Sequence, residues 1–338
     1  MVCVMKNKNT IAIFDDDYRL KNNLFLTNLN SDNVYRKLAE KLIKLGYEVN
    51  TLDVYEKNKE KPQICIFLDI PINKVSTYVD TTSTTPVVLL READIVLKRN
   101  YCKERHKEFK YILTWKSDLL DGIKYFHFPS TKVQIIEKLN KKYGEKIKPF
   151  VLINSNLHSN ERGELYTKRA EIAKWFQDNH PTEFDLWGPN WDKRIIKLPA
   201  NLKIKIPCNN LKDVYRGLAK DKYQTLRDYK FCICFENTNK IKDYISEKIF
   251  DCFLAGCVPV YYGDPGIADK IPTDCFIDYR DFSSIEDLYD QLNYMLESHY
   301  NQYLINIKKY LYSKDVNRFT NVTWEDSIIN LISKISTH

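Results

Sequence analysis

Glycine is scarce in this chain: nine residues in 338. That excludes collagen-like and glycine-rich linker classes. Neither a G-x-G-x-x-G turn nor a Walker loop occurs, so a nucleotide would have to be held without glycine-wrapped phosphates. The nine cysteines have no framework spacing, no C-x-x-C pair and no His/Cys cluster at zinc spacing, and reduced thiols in a reducing cytosol are expected. No apolar run is long enough to span a bilayer. The apolar opening from Met1 to Met5 meets Lys6 at once, too soon for a secretory leader. A soluble, cytoplasmic protein without a transmembrane segment is expected. A dominant charge is missing as well: 52 basic and 45 acidic side chains leave a formal +7. The surplus suits an anionic small molecule but falls short of the strongly basic face that nucleic acid requires. The one basic cluster, with Lys98, Arg99, Lys103, Arg105 and Lys107, is diluted by Glu104 and Glu108, so no nucleic-acid partner is expected.

What is present is enough to build two cores. Hydrophobic residues make up 43 % and aromatics 13 %, and the length fits two domains of ordinary size. The first half alternates short apolar runs, at 11–14, 47–52, 64–68, 87–90, 111–114 and 125–128, with a helical pattern at 34–45. There Val34, Leu38, Leu42 and Leu45 share a face and Gly46 follows, which predicts a helix in an open α/β sheet. The charge-rich stretch KLNKKYGEKIK at 138–148 ends at Pro149 and is taken as the linker. The expected domains are therefore 1–145 and 146–338. In the second, strands are predicted at 150–154, 184–187, 231–235, 258–262 and 275–277, and helices at 165–176, 214–229, 285–296, 302–311 and 324–335. Two α/β domains in succession suggest a ligand cleft between them.

The most informative segment is YKFCICFENTNKIKDYISEKIFDCFLAGCVPVYYGDP, residues 229–265. Phe231, Ile233 and Phe235 alternate with Cys232 and Cys234 in a buried strand that ends at Glu236–Asn237–Thr238. Ser246 is placed as an N-cap with Glu247 and Lys248 in the first turn, Gly256 ends the helix, and 258–262 returns as a strand. Such a crossover binds ligands beyond the carboxyl ends of its strands. A helix start offers unpaired N–H groups and partial positive charge to a phosphate, and Lys248 adds a full charge. An N-cap followed by Glu–Lys is also ordinary surface chemistry. What favours function is the gathering of Glu236, Asn237, Tyr244, Glu247 and Lys248 at one sheet edge.

The same segment resembles the donor-binding signature of the alpha-1,3-fucosyltransferases, family 10 glycosyltransferases. It reads FCICFENT, then YISEKIFDCFLAG, then CVPVYYGDP, and similarity continues through IPTDCFIDYRDF at 271–282. The resemblance implies the GT-B class of α/β fold, two facing Rossmann-like domains with the acceptor side first and the nucleotide-sugar side second. It implies inverting transfer of fucose from GDP-fucose to a hydroxyl of a glycan acceptor, with no metal and no further cofactor. By the same resemblance Lys248 contacts the donor diphosphate, Glu247 bonds the ribose or sits beside the sugar, and Glu236, Asn237 and Tyr244 line the donor pocket. A further diphosphate contact falls to Arg169 in LYTKRAEIAKWF, with Arg162 as competitor. The base that takes the proton of the attacking hydroxyl falls to Glu92, after the strand at 87–90; its structural alternative is a surface pair with Arg91 or Lys98. Other readings are a different nucleotide sugar on the same fold and an inactive relative that keeps sugar or nucleotide affinity.

Asp15–Asp16–Asp17 follows the first strand and invites a metal reading. The donor signature lies far away in the second half, so exposed or acceptor-contacting carboxylates are expected instead. The six histidines are isolated: His127 is expected to be packed, and His158 is a loop residue at the presumed cleft edge. Trp187 and Trp191, in WGPNW, fit either a stacking wall for a sugar or base or a pair of core anchors.

Overall fold

A computed structural model describes residues 9–16, 21–24, 33–135, 143–197, 203–208 and 210–337. Met1 to Met5, Asp17, His338 and part of the charged stretch at 138–148 lie outside the described residues. The chain divides into two compact units, one of residues 1–134 with 318–338 and one of residues 135–317.

In the first unit β1 (Thr10–Phe14), α1 (Val34–Lys44), β2 (Glu48–Thr51), α2 (Leu52–Asn58), β3 (Ile64–Leu68), β4 (Thr85–Leu90), β5 (Tyr111–Thr114) and β6 (Tyr125–His127) follow in order. The strands form one parallel sheet in the order β2-β1-β3-β4-β5-β6. A parallel sheet must be covered on both faces, and alternate residues of the same strands serve the two sides. Ile11, Ile13, Ile64, Ile66, Val87 and Leu89 join one buried cluster, whereas Ala12, Cys65, Phe67, Val88 and Leu90 join the other. Asn33 caps α1 through a bond from Arg36 N, and its Leu38 and Leu42 enter the first cluster.

The second unit runs β7 (Lys148–Ile153), α3 (Tyr166–Asn179), β8 (Phe184–Trp187), β9 (Lys193–Lys197), β10 (Lys203–Pro207), α4 (Lys222–Arg227), β11 (Tyr229–Phe235), α5 (Glu247–Ala255), β12 (Val258–Tyr262), β13 (Ile277–Asp278), α6 (Ile285–Asn293) and α7 (Glu297–Leu311). Its parallel sheet has the order β13-β12-β11-β7-β8. In both sheets the chain starts at an inner strand, steps one way and then reverses, so a topological switch point lies between β1 and β3 and another between β7 and β11. β11 is buried at six of its seven positions and pairs Phe231–Phe235 with Val258–Tyr262.

Three differences from the sequence reading have local causes. The helix expected at 214–229 shrinks to α4, because Gly217 takes a left-handed φ of +85° and Asp221 caps a new start through Gln224 N. The antiparallel hairpin β9–β10 was not anticipated. The tail, expected with the second domain, divides: its last helix, α8 (Asn321–Ser336), belongs to the first unit. Trp324, Ile328, Leu331 and Ile332 complete the cluster on the α1 side of the sheet. Lys41 of α1 meets the buried Glu325 at 2.6 Å, and this hydrogen bond raises the Lys41 pKa.

Candidate active site

The switch point of the second sheet gathers the expected donor residues. The loop after β11 turns against the segment before α3: Glu164 and Thr238 form an antiparallel bridge, Leu165 N donates to Asn237 O at 3.0 Å, and Asn239 N to Gly163 O at 3.0 Å. That pairing carries Arg169, on the first turn of α3, under the end of β11. Its Nη2 donates to Phe235 O at 2.6 Å, to Glu236 O at 2.7 Å and to Asn237 Oδ1 at 3.2 Å. Arg169 is 1 % exposed, forms no ion pair with a carboxylate among the described residues, and its Nε has no partner. Burial lowers its pKa, and the nearby Glu236 works the other way. The guanidinium also lies over the Tyr166 ring, 5.2 Å from its centroid, so a buried positive charge sits beneath the end of β11 with no carboxylate bonded to it among the described residues. Arg162, the competitor, has no such fixed position among these bonds.

Glu236 is corrected from pocket wall to foundation, since its carboxylate is fully buried. Ser246 N donates to Glu236 Oε1 at 2.8 Å, Ser246 Oγ lies 2.7 Å from Oε2, and Lys248 Nζ reaches Oε2 at 3.2 Å and Ser246 Oγ at 2.8 Å. Ser246 is the N-cap of α5, as its position predicts. One buried carboxylate therefore fixes both the start of α5 and the only cation of its first turn. The Lys248 side chain is 14 % exposed, in contrast to the fully buried Glu236 to which it is paired. Tyr244 is buried and its hydroxyl accepts from Asn237 Nδ2 at 3.2 Å, while Asn237 itself is half-buried. Glu247 lies at the rim with its side chain 57 % exposed, 3.9 Å from Lys222 Nζ. Lys222, on α4, is held at 2.6 Å by Asp251. Sequence reasoning missed Lys222 because it lay inside the overlong helix.

Glycine enters where the backbone crowds. A Cβ on Gly263 would stand 2.5 Å from the Glu236 side chain and 2.5 Å from the Tyr261 hydroxyl. Gly188, at φ +129°, would put one 2.1 Å from Asn154 O, the carbonyl to which Trp191 Nε1 donates at 2.6 Å. Trp191 is thus a buried anchor, and Trp187 Nε1 donates to Tyr229 Oη at 3.3 Å. His158 bonds Asn160 at 3.1 Å in its exposed loop.

In the first unit Glu92 is exposed, two residues beyond the end of β4. The neighbouring Arg91 turns to Asp69 at 2.9 Å and Asp15 at 3.2 Å. Burial opposes the Arg91 charge, but Tyr35, Asp69 and Asp15 outweigh it and hold the pKa above its ordinary value. Asp16 pairs with Arg99 at 3.0 Å. Among the described residues no cluster of His, Cys, Asp and Glu could hold a metal ion, and no helix is long and apolar enough to cross a membrane. The described cysteines are all free.

Residues 145–336 match the profile described as glycosyltransferase family 10 (fucosyltransferase), C-terminal region. The chain belongs to glycosyltransferase family 10. The match covers the whole switch-point site of this family-10 chain. Over 86 residues it is 36 % identical to the alpha-(1,3)-fucosyltransferase FucT of Helicobacter pylori, covering 25 % of this chain and 18 % of that enzyme. Over 130 residues it is 46 % identical to the mouse GDP-fucose protein O-fucosyltransferase 3, covering 38 % and 23 %. The matched stretches therefore span about a fifth of the length of these curated relatives. Among solved structures it resembles an alpha1,3-fucosyltransferase with GDP, at a TM-score of 0.54 and 14 % identity over 98 % of this chain and 92 % of that one. That likeness concerns the fold, and with the two parallel α/β sheets it gives the GT-B class.

Proposed function

We propose that this chain transfers fucose from GDP-fucose to a hydroxyl of a glycan acceptor, as an inverting alpha-1,3-fucosyltransferase. The observation that carries the reading is that two cations are tied to one residue at the switch point: Arg169 to the Glu236 carbonyl and Lys248 to its carboxylate. A diphosphate there meets Lys248 and the N–H groups that open α5, with the buried Arg169 charge acting on it from beneath the end of β11. These groups oppose the charge that builds on GDP as the C1–O bond breaks, and they are preorganised, so they need not rearrange during the step. In this reading no divalent ion takes part. Asn237, Tyr244 and Glu247 shape the pocket around the nucleotide and the sugar. Glu92 takes the proton from the acceptor hydroxyl as it attacks C1 from the face opposite the phosphate, and a single displacement inverts that carbon. The alpha-1,3 linkage follows the relative from Helicobacter pylori; the O-fucosyltransferase relative makes a protein hydroxyl the alternative acceptor. The reading includes a cytoplasmic site of action with reduced cysteines, which thiol titration of protein isolated without reductant would check.

The test incubates GDP-fucose with arrays of galactosides, N-acetylglucosaminides and folded protein acceptors, and identifies product by mass and by the anomeric configuration of the new bond. Turnover should survive a chelator. Loss of turnover with chelator rejects the metal-free step. Thermal stabilisation by UDP and not by GDP rejects the donor, and GDP binding without product on any acceptor favours an inactive relative.

A further inference from the structure

Asp69 is a buried carboxylate that the donor site does not use. It lies just past β3, at the switch point of the first sheet, and is 5 % exposed with a left-handed φ of +70°. An aspartate tolerates that conformation better than most residues, and outliers of this kind gather at functional positions. The twist turns its side chain across to the end of β4. There Oδ1 accepts from Arg91 N at 2.7 Å, Glu92 N at 3.2 Å and Asn100 Nδ2 at 2.7 Å. Oδ2 accepts from Arg91 Nε at 3.0 Å. Asn100, fully buried, closes the loop: its Nδ2 also donates to Glu92 O at 3.1 Å, and its Oδ1 accepts from Ile70 N at 3.0 Å. Both main-chain polar groups of Glu92 are therefore held, one by Asp69 and the other by Asn100, while its side chain stays exposed. An ion pair with one buried and one part-exposed partner is a poor way to gain stability. Here the pair and its amide converge on the backbone of one exposed carboxylate.

We propose that Asp69, seconded by Asn100, is a positioning residue that sets the direction in which Glu92 leaves the sheet. This rests on the reading of Glu92 as the base. A base displaced by an ångström loses much of its effect, so the consequence falls on kcat and not on donor binding.

The experiment compares Asp69→Asn, Glu92→Gln and the double variant in the full chain. It measures kcat and the donor KM by GDP release from GDP-fucose on an acceptor the parent converts, melting temperature, and hydrogen exchange of the 91–93 amides. Asp69→Asn should lower kcat about 10- to 100-fold with donor KM changed less than about twofold, and should speed exchange at 91–93. In the Glu92→Gln background it should lower kcat no further, since the residue through which it acts is gone. An unchanged kcat, an effect confined to KM, or the same loss with and without Glu92 overturns the proposal. If Glu92→Gln keeps parent turnover, the base reading falls and Asp69 falls with it. If Glu92→Gln is inactive while Asp69→Asn is not, only the role of Asp69 falls. Should Asp69→Asn not fold, Asn100→Ser carries the same comparison, because it frees the Glu92 carbonyl and leaves the Asp69–Arg91 pair. If the parent converts no acceptor, unchanged exchange at 91–93 in Asp69→Asn overturns the anchoring itself.

Discussion

At the residue scale, charge and burial decide what each side chain can do. The Lys248 side chain is 14 % exposed, while that of Glu236, to which it is paired, is fully buried. Lys248→Ala should lower kcat/KM about 10²- to 10³-fold, the usual loss for one preorganised charge-stabilising group, and should also cost about 3 kcal/mol in denaturant unfolding, because it leaves the fully buried Glu236 carboxylate without its counter-charge. Glu236→Gln leaves the ammonium without its counter-charge in a part-buried site, costing about 3 kcal/mol in denaturant unfolding, with GDP affinity falling as a consequence. Equal stability of that variant and the parent would remove Glu236 as foundation. His106 offers a pH test. Its Nε2 bonds Asn100 O at 2.7 Å and its Nδ1 the Tyr125 hydroxyl at 3.0 Å. Burial lowers its pKa, the Asn100 carbonyl opposes this and Lys124 adds to it. The unfolded chain, with a histidine pKa of about 6.5, takes up the proton first. The contribution is therefore complete above about pH 6.5 and is lost as pH falls toward the lower folded value. The drop in urea midpoint between about pH 7.5 and about pH 5.5 should be smaller in His106→Phe than in the parent; equal drops would show that this ring does not titrate with unfolding.

At the element scale, α5 is the piece that turns a sheet edge into an anion site. Its start is set by Ser246 and its end by Gly256 in the left-handed region at φ +62°. Lys146, nearly buried, donates to Gly256 O at 2.9 Å and Arg227 O at 2.8 Å, so one ammonium serves the carboxyl ends of both α4 and α5. Gly263→Ala probes the other side of the element. Its methyl group would drive into Glu236 and the Tyr261 ring, both fully buried, and the cost of overpacking is about 1–3 kcal/mol. Because Glu236 carries Ser246 and Lys248, GDP affinity should fall together with the unfolding midpoint; a variant that loses stability but binds GDP as before would separate the two. The strand–helix–strand order of this segment was legible in the sequence, since alternation, an N-cap and a C′ glycine all agree. The hairpin β9–β10 was not: four of the ten residues are lysine, and so short an alternation gives little contrast.

At the scale of the whole molecule, the chain closes its first unit with its last helix. Trp324, 3 % exposed, packs edge-on to Tyr35 at 5.7 Å and near Phe128 at 5.4 Å. Trp324→Ala should cost about 3–5 kcal/mol, and removal of residues 318–338 should leave the α1 side of the first sheet exposed. The truncated chain is expected to aggregate or lose the first unit's cooperative transition in calorimetry. If both transitions survive the truncation, α8 is an accessory and not part of that core.

The sequence by itself determined the strands, the α/β class and the signature of the donor segment, because each rests on residues close in the chain. Period-2 and period-3.6 patterns and capping residues act within a few residues of one another. What only the tertiary structure decided joins residues far apart. Arg169 lies under the end of β11, Asp69 and Asn100 hold Glu92 by its backbone, Glu236 is a buried foundation and not a wall, and the final helix crosses to the first unit. No local pattern carries that information. A polar side chain becomes an anchor, a wall or a surface group according to which strand the sheet order sets beside it, and that order is settled by long-range burial of apolar faces.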